Sequence, residues 1–221
     1  MKKSLAAILV TSGLYSTNAL SEDIGNGFDL SGNISFTSEY FWRGVDQNSS
    51  APAMQGGLDL AHSSGFYFGI WTSNISNSES SQEVDYYGGY SNSISWLTYD
   101  LGMISYQYPG NQSATEFEEA YVGLTAAIGP IEVGAKHYAA ASDDKDATEF
   151  SVSGELMSVG LSLTMGDYDV TGYGNYTIVS ASKELLEAWP IEVALTYTSS
   201  DLKGNTTSDD DTVIISVSKS F

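Results

Sequence analysis

The sequence contains no cysteine, which excludes a disulfide framework and thiolate metal sites. It is also poor in basic residues: eight stand against 28 acidic ones, and Arg43 is the single arginine. Nucleic acid is therefore not expected as a partner, because its phosphates require a basic surface. An acidic chain favours cations, cationic solutes or lipid head groups bridged by divalent ions. Solubility during export is the alternative explanation of the acidity.

Long apolar runs are also missing, and no stretch after residue 19 has the length of a membrane helix. The N-terminus carries Lys2 and Lys3, a short apolar stretch over 5–14 and small residues up to Ala19. This pattern predicts a cleaved signal peptide over 1–19 and a mature domain over 20–221. An N-terminal anchor helix is the alternative, but the apolar stretch is too short for it.

The chain instead repeats a segment of about ten residues in which apolar residues alternate with small or polar ones. In 159–165, for example, four apolar residues alternate with Gly160, Ser162 and Thr164. The breaks between segments are alternately short (62–65, 91–93, 129–130, 155–158) and long (41–52, 74–82, 109–115, 141–147, 199–211). This arrangement predicts an all-β fold, a transmembrane antiparallel up-and-down β-barrel of about 12 strands.

A soluble β-sandwich also alternates, and it is the main alternative. Its polar face meets bulk water and is usually rich in Lys, Glu and Thr, whereas the second face here is mostly Gly, Ser, Ala and Thr. Barrel closure also removes long apolar edge strands, which would otherwise invite aggregation. Aromatic residues near strand ends are expected to form girdles at the membrane interfaces: Tyr40, Trp42, Trp71, Tyr86, Tyr108 and Trp189.

The turns and the C-terminus predict the location. If the N-terminus lies in the periplasm, the short turns lie there and the long loops lie outside the cell. Phe221 closes an apolar series formed by Val213, Ile215 and Val217, although Lys219 departs from the pattern. Such an ending resembles the signal that outer-membrane assembly machinery recognises, a chance terminal Phe being the alternative. We therefore expect a bacterial outer-membrane protein whose partners are membrane lipids and, through Phe221, that machinery.

Several segments resemble a known family. They are 39–45 (EYFWRGV), 52–59 (PAMQGGLD), 64–74 (SGFYFGIWTSN), 83–90 (EVDYYGGY) and the ending 218–221 (SKSF). Together they resemble the TorF-type porins, bacterial outer-membrane proteins of uncharacterised function. The resemblance covers essentially the whole mature chain. It implies an outer-membrane barrel with a porin role, and it implies no particular substrate and no catalytic residues.

Charged residues on the polar face are the candidates for the channel lining. If the apolar face contacts lipid, then the pore-lining candidates are Asp59, Glu83, Asp85, Glu132, Lys136 and Glu192, with Arg43 in the first long loop. Twelve tilted strands give a backbone diameter of roughly 24 Å and a lumen on the order of 10 Å. We expect passive diffusion of ions or small solutes, with cations favoured. Alternatively, these acids pair with Arg43, Lys136 or hydroxyls and close the lumen, as in a structural or adhesive barrel.

Arg43 lies in an aromatic motif flanked by glycine, and two roles are open to it. It could narrow the channel or contact a ligand, because guanidinium pairs well with carboxylate or phosphate. The interpretation we favour is an ion pair that fixes the first long loop to an acidic wall.

Enzymatic and metal chemistry have little support in the sequence. A lipid-modifying hydrolase would need a Ser–His pair on the lipid-facing wall, and the only histidines are His62, in a short turn, and His137. The acidic runs 143–144 and 209–211 lack the ligand spacing of a calcium loop. We therefore expect neither an enzyme nor a cofactor, with hydrolase activity as the weaker alternative.

Overall fold

The computed structural model describes residues 21–76, 80–110, 117–140, 146–170, 173–185, 191–202 and 211–221. These residues form fifteen strands: β1 Ser21–Gly25, β2 Phe28–Thr37, β3 Phe41–Trp42, β4 Val45–Asp46, β5 Ala53–His62, β6 Phe66–Asn74, β7 Gln82–Ile94, β8 Leu97–Gln107, β9 Phe117–Ile128, β10 Ile131–Ala140, β11 Ala147–Leu156, β12 Val159–Tyr168, β13 Gly174–Leu185, β14 Ile191–Leu202 and β15 Thr212–Ser220. Among the described residues, no helix is long and apolar enough to cross a lipid bilayer.

Twelve of these strands, β2 and β5 to β15, form one closed antiparallel sheet. Each pairs with its neighbours in chain order, and β2 closes the ring by pairing with β5 on one side and β15 on the other. The predicted twelve-stranded up-and-down barrel is thereby confirmed. The predicted signal peptide lies outside the described residues and stays a prediction.

The alternation in the sequence separates an apolar exterior from a polar interior. Large apolar side chains that share one strand face are exposed on the outside of the barrel, among them Phe36, Leu58, Phe68, Met103, Leu124, Val133, Phe150, Leu163, Val179, Leu195 and Ile215. Since these residues would face water in a soluble protein, the exterior requires a hydrocarbon solvent. The barrel is therefore built for a membrane.

The first described strand, β1, and the C-terminal residue, Phe221, both pair with the same edge of β2. Phe221 exchanges two backbone hydrogen bonds with Gly32, of 2.8 and 2.9 Å, and its ring covers the position where a Cβ on Gly32 would lie. The short strand β1 then continues along the same edge, because Ser21 pairs with Ser31. β1 was not predicted, since its sequence shows no clear alternation.

Two predicted breaks lie elsewhere. Residues 91–93 belong to the ladder of β7 and β8, with Asn92 opposite Tyr99, and the chain turns at Ser95 instead. Polar residues remain in these strands because the hairpin is exposed at its end. β14 likewise continues to Leu202, so the last long loop begins later than predicted.

The predicted aromatic girdle is wrong for four residues, Tyr40, Trp42, Trp71 and Tyr108. Tyr40, Trp42 and Trp71 are buried inside the barrel, the first two because the first long loop folds inward and Trp71 because it lies on the inner face of β6. Tyr86 is exposed on the outside as predicted, and Tyr108 packs against the inner cluster. Trp189 lies outside the described residues.

Candidate functional site in the barrel interior

A small hairpin, formed by β3 and β4, lies inside the barrel at the end that carries the long loops. Trp42 pairs with Val45 across a two-residue turn, Arg43–Gly44, and both turn residues have positive φ, of 48° and 78°. Turns of this kind match the twist of paired strands, and glycine is favoured in them. Gly44 is also required sterically, because a Cβ there would lie 2.7 Å from Cβ of Tyr176. We call residues 41–46 the inner hairpin.

Arg43 reaches the opposite wall from the tip of this hairpin. The hairpin is attached through β2 and β5, and β10 lies six strands from β2 in either direction around the ring, with β9 beside it. The guanidinium donates hydrogen bonds to both carboxylate oxygens of Glu119 on β9, at 2.7 and 2.8 Å. The inner hairpin therefore crosses the lumen.

The ion pair is buried and surrounded by rings. Both side chains are almost fully inaccessible to solvent, and the Tyr106 hydroxyl donates to Glu119 Oε2 at 3.0 Å. The guanidinium carbon also lies 4.4–4.6 Å from the ring centres of Trp42, Tyr138 and Tyr168, in the range of a cation–π interaction. Burial alone would lower the pKa of Arg43, but Tyr106 and Glu119 outweigh it and raise that pKa well above its ordinary value, so the charge is kept.

Aromatic packing fixes the remainder of the first loop. Trp42 makes edge-on contacts with four rings, those of Tyr106, Phe117, Tyr168 and Tyr173. Tyr40 packs on Trp71 of β6 with ring centres 5.6 Å apart. The loop thus fills the lumen from β6 round to β13.

A narrow space remains between the first loop and the wall formed by β2, β14 and β15. It is a cavity of about 40 Å³, lined by Thr37, Glu39, Tyr40, Phe41, Gln55, Ile178, Thr196, Thr198, Ile214 and Ser216. This space holds only a few water molecules, since a single water needs about 10–15 Å³ by the same measure. The first loop therefore occupies part of the lumen of roughly 10 Å estimated from strand number.

A second charged layer lies deeper in the barrel. Lys136 Nζ on β10 is 3.4 Å from Asp100 Oδ2 on β8 and 3.8 Å from the ring centre of Tyr121. The Tyr67 hydroxyl donates to Asp100 Oδ1 at 2.6 Å. Asp59 on β5 accepts a hydrogen bond from Tyr87. One tyrosine hydroxyl thus donates to each acid of this layer.

Glu83 and Asp85 lie on the inner face of β7, near the long-loop end, and both are buried. Arg43 is paired with Glu119 and Lys136 with Asp100, and neither ion pair involves Glu83 or Asp85. The remaining candidates lie at the opposite end of the barrel. Glu132 is exposed near the start of β10, and Glu192 is half-buried near the start of β14.

Three interior acids, Asp100, Glu119 and Glu149, were not among the candidates. Each lies opposite in parity to the exposed residues of its own strand, such as Val122 on β9, so the alternation contained the signal. Glu149 accepts a hydrogen bond of 2.6 Å from Tyr176. The alternation does not give the register of the strands, and the register determines that Glu119 lies within reach of Arg43.

Metal and catalytic groups are sparse in the described part of the chain, where no three His, Asp or Glu side chains converge as metal ligands. Of the acidic runs, Asp143, Asp144, Asp209 and Asp210 lie outside the described residues, and Asp211 is exposed. His137 faces outward and lies 2.9 Å from the Thr148 hydroxyl. Its cross-strand neighbours are Val122 and Thr148, so no serine is directly beside it.

Solved structures show where this fold occurs. The KdgM porin superposes with a TM-score of 0.63 at 11% identity, over 86% of this chain and 99% of that one. The NanC porin superposes with a TM-score of 0.52 at 11% identity, over 86% of this chain and 97% of that one. Outer membrane phospholipase A from Escherichia coli superposes with a TM-score of 0.54 at 10% identity, over 86% of this chain and 88% of that one. At these identities the likeness concerns the fold. With the apolar exterior, it indicates the bacterial outer membrane as the location.

Sequence comparison gives the family. No curated protein matches the chain in sequence. Residues 22–221, however, match a family described as "Bacterial protein of unknown function (Gcw_chp)". That description does not carry the TorF-type name, so the narrower resemblance stays a prediction. The match spans the whole barrel, and the chain belongs to the Gcw_chp family of bacterial proteins.

Proposed function

We propose that this protein is a passive outer-membrane channel for ions and small solutes, and that it favours cations. The observation that carries the proposal is the excess of acids on the inner wall. Six interior carboxylates face two basic side chains, Arg43 and Lys136; the six are Asp59, Glu83, Asp85, Asp100, Glu119 and Glu149.

Both basic residues are already paired, Arg43 with Glu119 and Lys136 with Asp100. The remaining acids, among them Asp59 and Glu149, leave a negative potential in a confined space, and such a potential concentrates cations and repels anions. Solutes pass between the inner hairpin and the hydroxyl-bearing wall that includes Thr196, Thr198 and Ser216. This route limits the size of the solute, and the flux follows the concentration gradient.

The charge of the interior also bears on which solutes the channel excludes. One solved structure is described as the KdgM porin in complex with disordered oligogalacturonate, a polyanion. The acidic interior here disfavours a polyanion, so the two barrels differ in the charge of the solute that they accept.

A liposome-swelling series tests the proposal. Purified mature protein is reconstituted, and swelling is followed with neutral, cationic and anionic solutes of matched small size. The proposal predicts faster swelling than in protein-free liposomes, with cationic solutes ahead of anionic ones. Swelling equal to that of protein-free liposomes would favour the closed-lumen structural or adhesive barrel. Faster entry of anions would contradict the charge preference.

A lipid hydrolase is the second candidate, because the outward-facing His137 lies beside the Thr148 hydroxyl and phospholipase A shares the fold. We propose that the protein does not hydrolyse lipid, since a histidine and a hydroxyl alone lack the third group that orients the base. Release of fatty acid from phospholipid vesicles by the wild type, lost in His137→Ala, would overturn this.

A further inference from the structure

Glu83 and Asp85 form a compact acidic pair in the outer part of the barrel interior. They are alternate residues of β7, so their Cα atoms are roughly 6.7 Å apart and both side chains point inward. The exposed fractions of the two residues are 3% and 1%, and their carboxyl groups lie within hydrogen-bonding range of each other.

No basic side chain among the described residues neutralises this pair. Arg43 is held by Glu119 and Lys136 by Asp100. Two buried carboxylates in contact cannot both remain charged without compensation, because desolvation and mutual repulsion each cost several kcal/mol. The pair therefore holds either a shared proton or a cation.

Two unpartnered oxygens favour a cation. Tyr40 is 1% exposed and its hydroxyl interacts with the Glu83 carboxyl group, but it makes no hydrogen bond of ordinary length and angle to any described group. Asp85 Oδ1 is also buried without a partner. A shared proton between the two carboxyl groups adds no partner for either of these oxygens, whereas a cation between them coordinates both.

We infer that Glu83, Asp85 and the Tyr40 hydroxyl bind a divalent cation of the Ca²⁺ type. Two carboxylates match its charge, and a hard cation takes six to eight oxygen ligands, of which bidentate carboxylates supply up to four. The hydroxyl of Tyr40 adds one, and water completes the shell. Since Tyr40 belongs to the first loop and both acids to β7, the cation would join this loop to the wall, as Arg43 does through Glu119 on β9, two strands away.

Terbium luminescence tests the site directly. Tb³⁺ replaces Ca²⁺ in oxygen sites, and its emission is sensitised by nearby tyrosine and tryptophan, here Tyr40 and Trp42. The mature protein, folded in a non-ionic detergent, is titrated with Tb³⁺ and then with Ca²⁺ as competitor. We expect saturable emission that Ca²⁺ displaces in the wild type and at least a tenfold loss of Tb³⁺ affinity in Glu83→Gln/Asp85→Asn.

A matched control removes a different acidic group, with Asp209→Asn, Asp210→Asn and Asp211→Asn combined. Emission retained in this control and lost in the β7 variant supports the site. The reverse result shows that the ion binds the last loop and overturns the inference, as does emission that is equal in all three proteins.

Thermal unfolding separates the cation from the proton. Ca²⁺ should raise the apparent Tm of the wild type relative to EDTA, because a ligand of the folded state stabilises it. The β7 variant should show the same Tm in both solutions and, in EDTA, a Tm no lower than that of the wild type. A wild-type Tm that is insensitive to Ca²⁺ but rises as pH falls would establish the shared proton and overturn the inference. Neither measurement requires the channel to conduct.

Discussion

Arg43 illustrates how one residue sets the width of the interior. Its turn conformation has φ of 48°, which costs a non-glycine residue about 1–2 kcal/mol. The bidentate contact with Glu119 and three aromatic rings offsets that cost. Removing one member of a buried ion pair leaves the other charge uncompensated. We therefore expect Glu119 to provide most of the restraint on the first loop.

Glu119→Gln should therefore release the inner hairpin from the barrel. The loss of a buried charge partner costs about 3–5 kcal/mol, and the guanidinium is better solvated outside. Trypsin provides the readout, because Arg43 is the single arginine and is buried in the wild type. We expect cleavage between Arg43 and Gly44 in the variant and protection in the wild type, detected by mass spectrometry.

The matched control for this experiment is Glu132→Gln, which removes an exposed acid at the other end of the barrel. It should leave Arg43 protected. Protection of Arg43 in Glu119→Gln as well, in a variant that folds normally, would show that packing alone holds the hairpin.

Tyrosine rings lying on glycines are a second feature of the interior at this scale. A methyl group on Gly69 would overlap the ring of Tyr87, which crosses from the neighbouring strand β7. Gly102 has the same relation to Tyr121, and Gly166 to Tyr176. Such rings cover glycine backbone and fix the register of the strands.

Gly69→Ala should destabilise the barrel by about 1–3 kcal/mol, as overpacking usually does. The measurement is urea unfolding in lipid vesicles, with Gly123→Ala as the control. A Cβ on Gly123 would meet Lys136 at 3.5 Å, which is ordinary contact. An equal effect of the two substitutions would mean that the ring is displaced without cost.

The hairpins at the short-turn end have tight turns, and some turn residues there do not favour the positive φ that the turn requires. β11 and β12 are joined at Met157 and Ser158, both with positive φ, of 52° and 59°. Asn and Gly are the residues that this turn type favours. The inner hairpin follows the same rule with Arg43–Gly44, which is why a loop segment forms strands at all.

Met157→Asn combined with Ser158→Gly should stabilise the protein by about 1 kcal/mol, because it relieves left-handed strain at two residues. The test is the midpoint of urea unfolding in lipid vesicles, which should rise. Glu155→Gln, an exposed change in the same hairpin, should leave the midpoint unchanged. A lower midpoint in the Asn–Gly variant would show that this turn has a different requirement.

For the whole molecule, the alternation of residues predicted more than any motif. Strand number, closure and the inward position of Asp59, Glu83 and Asp85 followed from a period of two. The first loop was predicted to be fixed to an acidic wall by Arg43, but its partner Glu119 and its inward fold were not, since both depend on contacts with strands 60 or more residues away. Register and loop placement are set by such packing, which local sequence does not encode.

We propose that ions cross this barrel passively and that its acidic interior favours cations. The most direct measurement is the reversal potential of single channels in a planar bilayer with a KCl gradient. We expect discrete conductance steps and a reversal potential whose sign shows that K⁺ is more permeant than Cl⁻. Asp59→Asn/Glu149→Gln, which removes two interior acids that pair with no basic side chain, should reduce its magnitude. A reversal potential whose sign shows that Cl⁻ is more permeant than K⁺, or folded protein that never conducts, would contradict the proposal.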